Sequence, residues 1–290
     1  MSDSSQFFIG CAVWAYQDWV GEFYPVGSRP TDFLKIYSQR LTAVEGNTTF
    51  YSIPNLATIN RWVEQTPPGF KFCLKLPKAI THTGLLAPNI PQALSFLAQM
   101  QPLGERLGPM FAQLPPQYAP VNLMDLQMFL EAWPHNQAAL ALEVRHLSWF
   151  QEPYSSQLNK LLEQFSVGRV LLDSRPIYLD PATEILINLD RKKPNLPVPF
   201  CLTAPFTLIR FISHPDAAIN QIFWQEWSLK ISQWLSRGIQ IYFFVHCPLE
   251  ERSPANVRHF QHELAAQKVP VPPLPWDQIK PEPIQLSLWE

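Results

Sequence analysis

Eight short apolar runs, Phe7–Val13, Leu41–Asn47, Phe70–Leu76, Gly108–Leu114, Ala139–His146, Gly168–Ser174, Thr207–Ser213 and Ile239–His246, begin at intervals of roughly 29–39 residues along this chain. That interval fits one strand, one helix and their loops. Between the runs lie segments with apolar residues three and four apart: Pro30–Leu41, Thr58–Gln65, Ile90–Met100, Val121–Trp133, Pro153–Phe165, Asp216–Arg237 and Pro254–Ala266. So regular an alternation predicts an α/β protein, specifically a (β/α)8 barrel of TIM type. Length alone would allow about two domains for 290 residues, but such barrels often form one of roughly 250. The expected division is a short disordered start (1–6), one barrel domain (7–266) and a Pro-rich tail (267–290). One stretch breaks the alternation. Arg175–Pro205 has no clean helical period and is rich in proline, so it is expected to cross one rim as a long excursion.

The polar residues in these runs gather at their ends. Glu45 and Asn47 alternate with Val44 and Gly46, so both side chains point to one face of the second strand. Lys75 ends the third run, with His82 beyond it, and Gln113 ends the fourth. Glu143 and Arg145 end the fifth, Asp173 the sixth and His246 the eighth, while Arg210 lies within the seventh. In a barrel these positions ring the carboxyl mouth, where barrel enzymes keep their active sites. The expected catalytic residues are Glu45, Glu143, Lys75 and Asp173. The expected substrate contacts are Trp14, Asn47, Tyr51, His82, Gln113, Arg145, Arg210 and His246.

Each assignment has a structural counterpart. Glu45, Glu143 and Asp173 balance Lys75, Arg145 and Arg210 in formal charge, as a buried ion network would require. Against that, a barrel needing only packing would fill its layers with Val, Ile and Leu. Glu45 and Glu143 serve as acid and base if their surroundings split their pKa values. Lys75 is read as an anion-binding or carboxylate-paired cation rather than a Schiff-base nucleophile, because neighbouring carboxylates would raise its pKa. Arg145 and Arg210 suit a bidentate grip on carboxylate or phosphate. Trp14 and Tyr51 directly follow strand ends, where an aromatic ring can stack on a base or sugar. Arg191-Lys192-Lys193 reads as a solvated loop tip. His82, His146, His214, His246, Glu143 and Asp173 could supply metal ligands, but no H-x-x-x-H or H-E-x-x-H spacing links them, and a divalent metal is not favoured.

Several stretches resemble a known family. They are Ile9-Gly10-Cys11-Ala12-Val13-Trp14-Ala15-Tyr16 with Phe23-Tyr24-Pro25, then Val44-Glu45-Gly46-Asn47-Thr48-Thr49-Phe50-Tyr51. Further on come Phe70-Lys71-Phe72 through Lys75, Pro77 and Thr81-His82, then Gln113-Leu114-Pro115-Pro116. Glu143-Val144-Arg145-His146 with Ser148-Trp149, and Asp173-Ser174, complete the set. Together they resemble the YecE-like domain of unknown function, family seventy-two, over most of residues 7–265. The resemblance implies a barrel related to the xylose-isomerase and endonuclease-IV group, without a settled reaction. Two stretches depart from the family pattern. Arg210-Phe211-Ile212-Ser213 stands where a histidine-glycine pair is expected, and Phe244-Val245-His246 stands where Phe-Asn-Asn is expected.

Bulk properties narrow the function further. A net charge of −2 gives no overall pull toward nucleic acid or anionic membrane. No apolar run is long enough to span a bilayer, and Met1–Gln6 lacks the features of a signal peptide. Cys11, Cys73, Cys201 and Cys247 form no C-x-x-C pair and read as reduced thiols of a cytoplasmic protein. Val269–Pro283 holds six prolines and is expected as an extended spacer. It leads to Gln285-Leu286-Ser287-Leu288-Trp289, which is similar to the bacterial sliding-clamp-binding motif. There Gln285, Leu286, Leu288 and Trp289 would contact the clamp; alternatively they pack back on the barrel. The leading expectation is an acid–base enzyme, a hydrolase or a lyase/isomerase, acting on a phosphate-bearing or nucleic-acid substrate and recruited to DNA by its tail. The alternatives are an enzyme for a small sugar or carbonyl compound and a non-catalytic adaptor binding nucleic acid or protein.

Overall fold

Every one of the eight apolar runs becomes strand in the computed structural model, which describes residues 6–179 and 193–279. The strands are β1 (Phe7–Cys11), β2 (Ala43–Gly46), β3 (Lys71–Leu74), β4 (Met110–Gln113), β5 (Leu140–Glu143), β6 (Gly168–Arg169), β7 (Leu171–Asp173), β8 (Phe206–Ile212) and β9 (Gln240–His246). The sixth run is divided at Val170. Its first part pairs with β5 and its second with β8, so one stretch of chain passes from one neighbour to the other. All pairings are parallel, in the orders β1-β9-β8-β7, β2-β3 and β4-β5-β6.

A few backbone contacts link the edges of these sheets. The Thr42 amide donates to the Ile9 carbonyl (3.1 Å) and the Leu76 amide to the Phe111 carbonyl (2.9 Å). At the β1–β2 seam the Tyr37 hydroxyl accepts from the Cys11 amide (2.7 Å) and donates to the Ala43 carbonyl (3.0 Å). The seam is too close for a side chain at Gly10, where a Cβ would stand 1.8 Å from the Ala43 carbonyl oxygen.

The intervening helices are α1 (Phe33–Ser38), α2 (Leu56–Gln65), α3 (Lys78–Thr81), α4 (Ile90–Met100), α5 (Leu123–Ala132), α6 (Tyr154–Gln164), α7 (Arg175–Leu179), α8 (Ala217–Leu235), α9 (Ser253–Ala266) and α10 (Pro275–Gln278). Caps mark two of their starts: Asn55 accepts from the Thr58 amide and Asp216 from the Ala218 amide. Helix α7 lies where no helical period was expected. Among the described residues no helix is long and apolar enough to cross a membrane.

Period two sorts each strand's side chains onto two faces. One face packs with the helices in the main core, through residues such as Ile9, Val44, Phe72, Leu142, Phe243 and Val245. The other forms a cluster made almost wholly of strand residues, including Phe8, Ala43, Cys73, Phe111, Ala141, Leu208 and Phe244. This inner face is what positions the site.

The expected spacer is corrected over residues 269–279, which pack onto the domain. Leu274 is buried, the Trp276 ring meets Phe23 with centroids 4.9 Å apart, and Arg258 pairs with Asp277 at 2.7 Å. The prolines are there, but Leu274 and Trp276 give the chain apolar anchors that a free linker lacks. Residues 1–5, Arg191 and Lys192, and the tail peptide with Gln285, Leu286, Leu288 and Trp289 lie outside the described residues.

Candidate active site

The site is the next layer of the inner face. Two residues beyond Ala43, Cys73, Phe111, Ala141, Leu208 and Phe244 come Glu45, Lys75, Gln113, Glu143, Arg210 and His246. All six are buried at the carboxyl ends of their strands, so the sequence-expected residues meet here in one cluster. Arg210 is its centre. Its Nε and Nη2 donate to Glu45 Oε2 and Oε1, both at 2.8 Å, and its Nη1 donates to Glu143 Oε2 at 2.5 Å. Glu45 also accepts from Asn47 Nδ2 (2.6 Å) and from His246 Nε2 (3.1 Å). Asn47 itself lies just past β2, as the first residue of a short 3-10 turn, yet still reaches its expected partner. Glu143 Oε1 accepts from Arg145 Nε at 2.7 Å. The Gln113 amide oxygen takes three cations: Lys75 Nζ and Arg145 Nη2, each at 2.8 Å, and Arg210 Nη1 at 3.4 Å.

These contacts set the charge states. Burial alone would push the Glu45 carboxyl up, but Arg210 and then His246 outweigh it and hold the group well below the usual carboxylate range. For Glu143 the same opposition, with Arg210 and Arg145 winning, leaves a pKa of about 2. Arg210 loses by burial and gains more from Glu143 and Glu45, so it stays charged. Lys75 behaves differently. It contacts Gln113 and lies 3.9 Å over the Phe50 ring rather than against a carboxylate. Burial and then Arg210 bring it down to about 7, against the pull of Glu143 and Glu45. The carboxylates do raise Lys75, as expected, but burial and Arg210 outweigh them, so its net shift is downward. Burial also lowers His246 to about 4, so its ring is neutral at pH 7.

The cluster forms the floor of a cleft of roughly 600 Å3. Its walls include Asn47, Tyr51, His82 and Arg145. They also include Lys193 and Glu250, which the sequence reading did not single out as site residues. Lys193 belongs to the basic run expected at a solvated tip. Burial and then Arg210 instead lower its ammonium to about 8. Glu250, on the loop after β9, has a buried Oε1 without a hydrogen-bond partner among the described residues. Burial raises its carboxyl to about 8, against the opposing influence of the nearby Ser253 hydroxyl and the Lys193 charge. Only Glu250's place four residues after His246 pointed to the rim, and a loop residue has no strand phase to read.

Two expected residues fall elsewhere. Asp173 is out of phase with Val170, its inner-face neighbour, and so faces the helices. It accepts from Arg175 Nε (2.9 Å) and Nη2 (2.8 Å) and from the Trp227 indole on α8 (2.9 Å). Trp14 follows the bend after β1 and packs its ring against Trp62 (5.3 Å between centroids) and Phe72 (6.1 Å), while Ala12 and Val13 line the cleft instead. Asp173→Ala is expected to cost about 2–3 kcal/mol in urea denaturation, because Arg175 and the indole lose a buried charged acceptor. As for metals, no group of three His, Cys, Asp or Glu that could hold an ion occurs among the described residues. His146 is instead occupied in accepting from the Ser148 amide.

The architecture defines a class: a parallel α/β protein whose inner strand face ends in a buried ion cluster beneath an open cleft. Within that class the chain belongs to the family described as "Protein of unknown function DUF72", which matches residues 8–279. It is 36% identical over 259 residues to the UPF0759 protein YecE of Escherichia coli, covering 89% of this chain and 92% of that one. To YunF of Bacillus subtilis it is 25% identical over 159 residues, covering 52% and 54%. Among solved structures, a DUF72 protein of Thermotoga maritima superposes with a TM-score of 0.67 at 22% identity, covering 89% of this chain and 99% of that one. One from Enterococcus faecalis gives 0.66 at 18% identity, covering 90% and 98%. These structural likenesses concern the fold.

Proposed function

We propose that the chain is a closed (β/α)8 barrel over residues 7–266 and an acid–base enzyme for a small phosphate-bearing substrate bound in the cleft. The observation that carries the reading is Lys75: a buried amine at the cleft floor, held by a neutral amide and an aromatic face, with no carboxylate bonded to it among the described residues. Arg145, Arg210 and Lys193 stand around the same space. Glu45 and Glu143 already neutralise two of these cations, so the remainder favours an anion.

In this reading Glu45 and Glu143 hold Arg210 and Arg145 in place rather than exchange protons. Both carboxylates are kept ionised by their partners. Lys75, titrating near pH 7, is suited to act as the base, and Glu250, protonated at neutral pH, as the acid. A small carbonyl substrate is a second reading favoured by the same residue, since a buried amine near neutrality can also form an imine. Recruitment to a sliding clamp through Gln285–Trp289, and thereby to DNA, is a separate proposal resting on that peptide's sequence.

Sulfate tests the anion site, because its charge is constant across the range of interest. Calorimetric titration should give saturable binding that weakens about tenfold or more from pH 6 to pH 9. Over that interval Lys75 and Lys193 lose charge, and Glu250 gains it, at about 7, 8 and 8 respectively. Absent binding, or binding independent of pH, would overturn the reading.

A further inference from the structure

Beside the charged cleft lies a second hollow of roughly 430 Å3. Phe50, Tyr51, Lys78 and His82 line both, so the two adjoin along these side chains. Their chemistry differs. The cleft is floored by the ion cluster, whereas the hollow adds Ile53, Pro77 and Ala79, which are apolar.

Phe50 is buried and acts as the support. The Tyr51 and His82 rings each pack edge-on to it with centroids 5.0 Å away, and Lys75 covers one of its faces. Tyr51 is 67% exposed and Ile53 47% exposed, so the loop after β2 holds an aromatic ring and an aliphatic chain toward solvent at the edge of the cleft. The two threonines of the hollow offer little to a polyhydroxylated ligand, because both hydroxyl protons are committed to backbone carbonyls. Thr49 Oγ1 has its one proton between the Lys75 (2.6 Å) and Gly46 (2.8 Å) carbonyls, and Thr83 Oγ1 donates to that of Ala79 (2.7 Å).

We infer that the hollow takes a planar ring joined through a short linker to the anionic group, so that the substrate is a phosphate carrying an aryl or heterocyclic ring, such as a nucleoside monophosphate. The inference rests on the anion-site reading above and adds to it the other end of the ligand. The charged end lies by Lys75, Arg145 and Arg210. Lys78 and His82 flank the connecting atoms, and the ring lies against Tyr51 and Ile53. A bare phosphosugar would leave this apolar wall against water, while a ring would cover it.

Titration of the full-length protein at pH 6.5 with inorganic phosphate, ribose 5-phosphate and AMP separates the two readings. AMP is expected to bind about tenfold or more tightly than ribose 5-phosphate, the range of one base–aromatic stack. Tyr51→Ala, and independently Ile53→Ser, should bring AMP down to the ribose 5-phosphate level. For Ile53→Ser, which lies outside the charged cleft, phosphate affinity should stay within about twofold, and circular dichroism should report an intact fold for both variants. If phosphate binds while AMP and ribose 5-phosphate bind alike, the inference fails and the anion site stands. If none of the three binds, the anion site fails and the inference falls with it.

Discussion

An Arg210→Met variant is expected to lose about 3–5 kcal/mol of stability at pH 7, measured by urea denaturation, the usual cost of removing one partner from a buried ion pair. The reason is local. Arg210 spans Glu45 and Glu143, both fully buried, and supplies three of the hydrogen bonds that make their charges tolerable. Methionine fills similar space but leaves two buried carboxylates without their shared guanidinium. Lysine should rescue only partly, since one ammonium cannot reproduce the forked contact to Glu45.

The pH dependence separates this from simple loss of packing. In the native protein the Glu143 pKa is depressed from 4.5 to about 2. Its contribution is therefore fully present above about 4.5 and is lost as pH falls toward 2. Without Arg210, burial would instead raise both carboxyls, so the variant should gain stability as pH falls from 7 toward 5. The two stability curves then converge on the acid side. A constant difference across that range, or a loss below about 1 kcal/mol, would show that Arg210 is not the cluster's keystone.

The second large effect is expected at Lys75. Lys75→Met should remain folded and, near pH 6, be more stable than the native protein by on the order of 1–4 kcal/mol, as when buried charge is replaced by apolar volume. The sign follows from the proton count. Lys75 is depressed from 10.5 to about 7, so between those values the unfolded chain binds more protons and native stability rises with pH. Lys75's share of that slope should be absent from the variant, leaving the share of Lys193, which is lowered to about 8. Sulfate affinity at pH 6 should fall about tenfold or more, and turnover of a phosphate ester in the cleft by about a hundredfold or more. A stable variant with unaltered anion affinity would remove Lys75 from the site. An unstable one would make it a structural residue, in contrast to the role proposed here.

Asp173 marks the boundary between what strand ends and strand phase can tell. Placing Asp173, with Ser174, at the end of its run put it at the rim; counting by twos from Val170 would have sent Leu172 inward and Asp173 outward. The same count from Ala43, Cys73, Phe111 and Ala141 lands correctly on Glu45, Lys75, Gln113 and Glu143. Trp14 failed for another reason: the chain bends after β1, and beyond a strand the period no longer holds. The spacer failed over 269–279 because proline content reports backbone stiffness, whereas docking depended on where Phe23 and Arg40 stood to receive Trp276.

What the chain determined by itself is the alternation of elements, the parallel arrangement that short strands and intervening helices demand, and the polar layer two residues past the small and apolar inner one. Those are local properties, written in the spacing of side chains along each segment. Only the tertiary structure decided which charges neutralise one another. Glu45 and Arg210 are 165 residues apart in sequence yet 2.8 Å apart in space. Proton affinities in a buried cluster depend on such distances and on exclusion of water, so Lys75 and Glu250 became visible as titrating groups only once the strands were assembled.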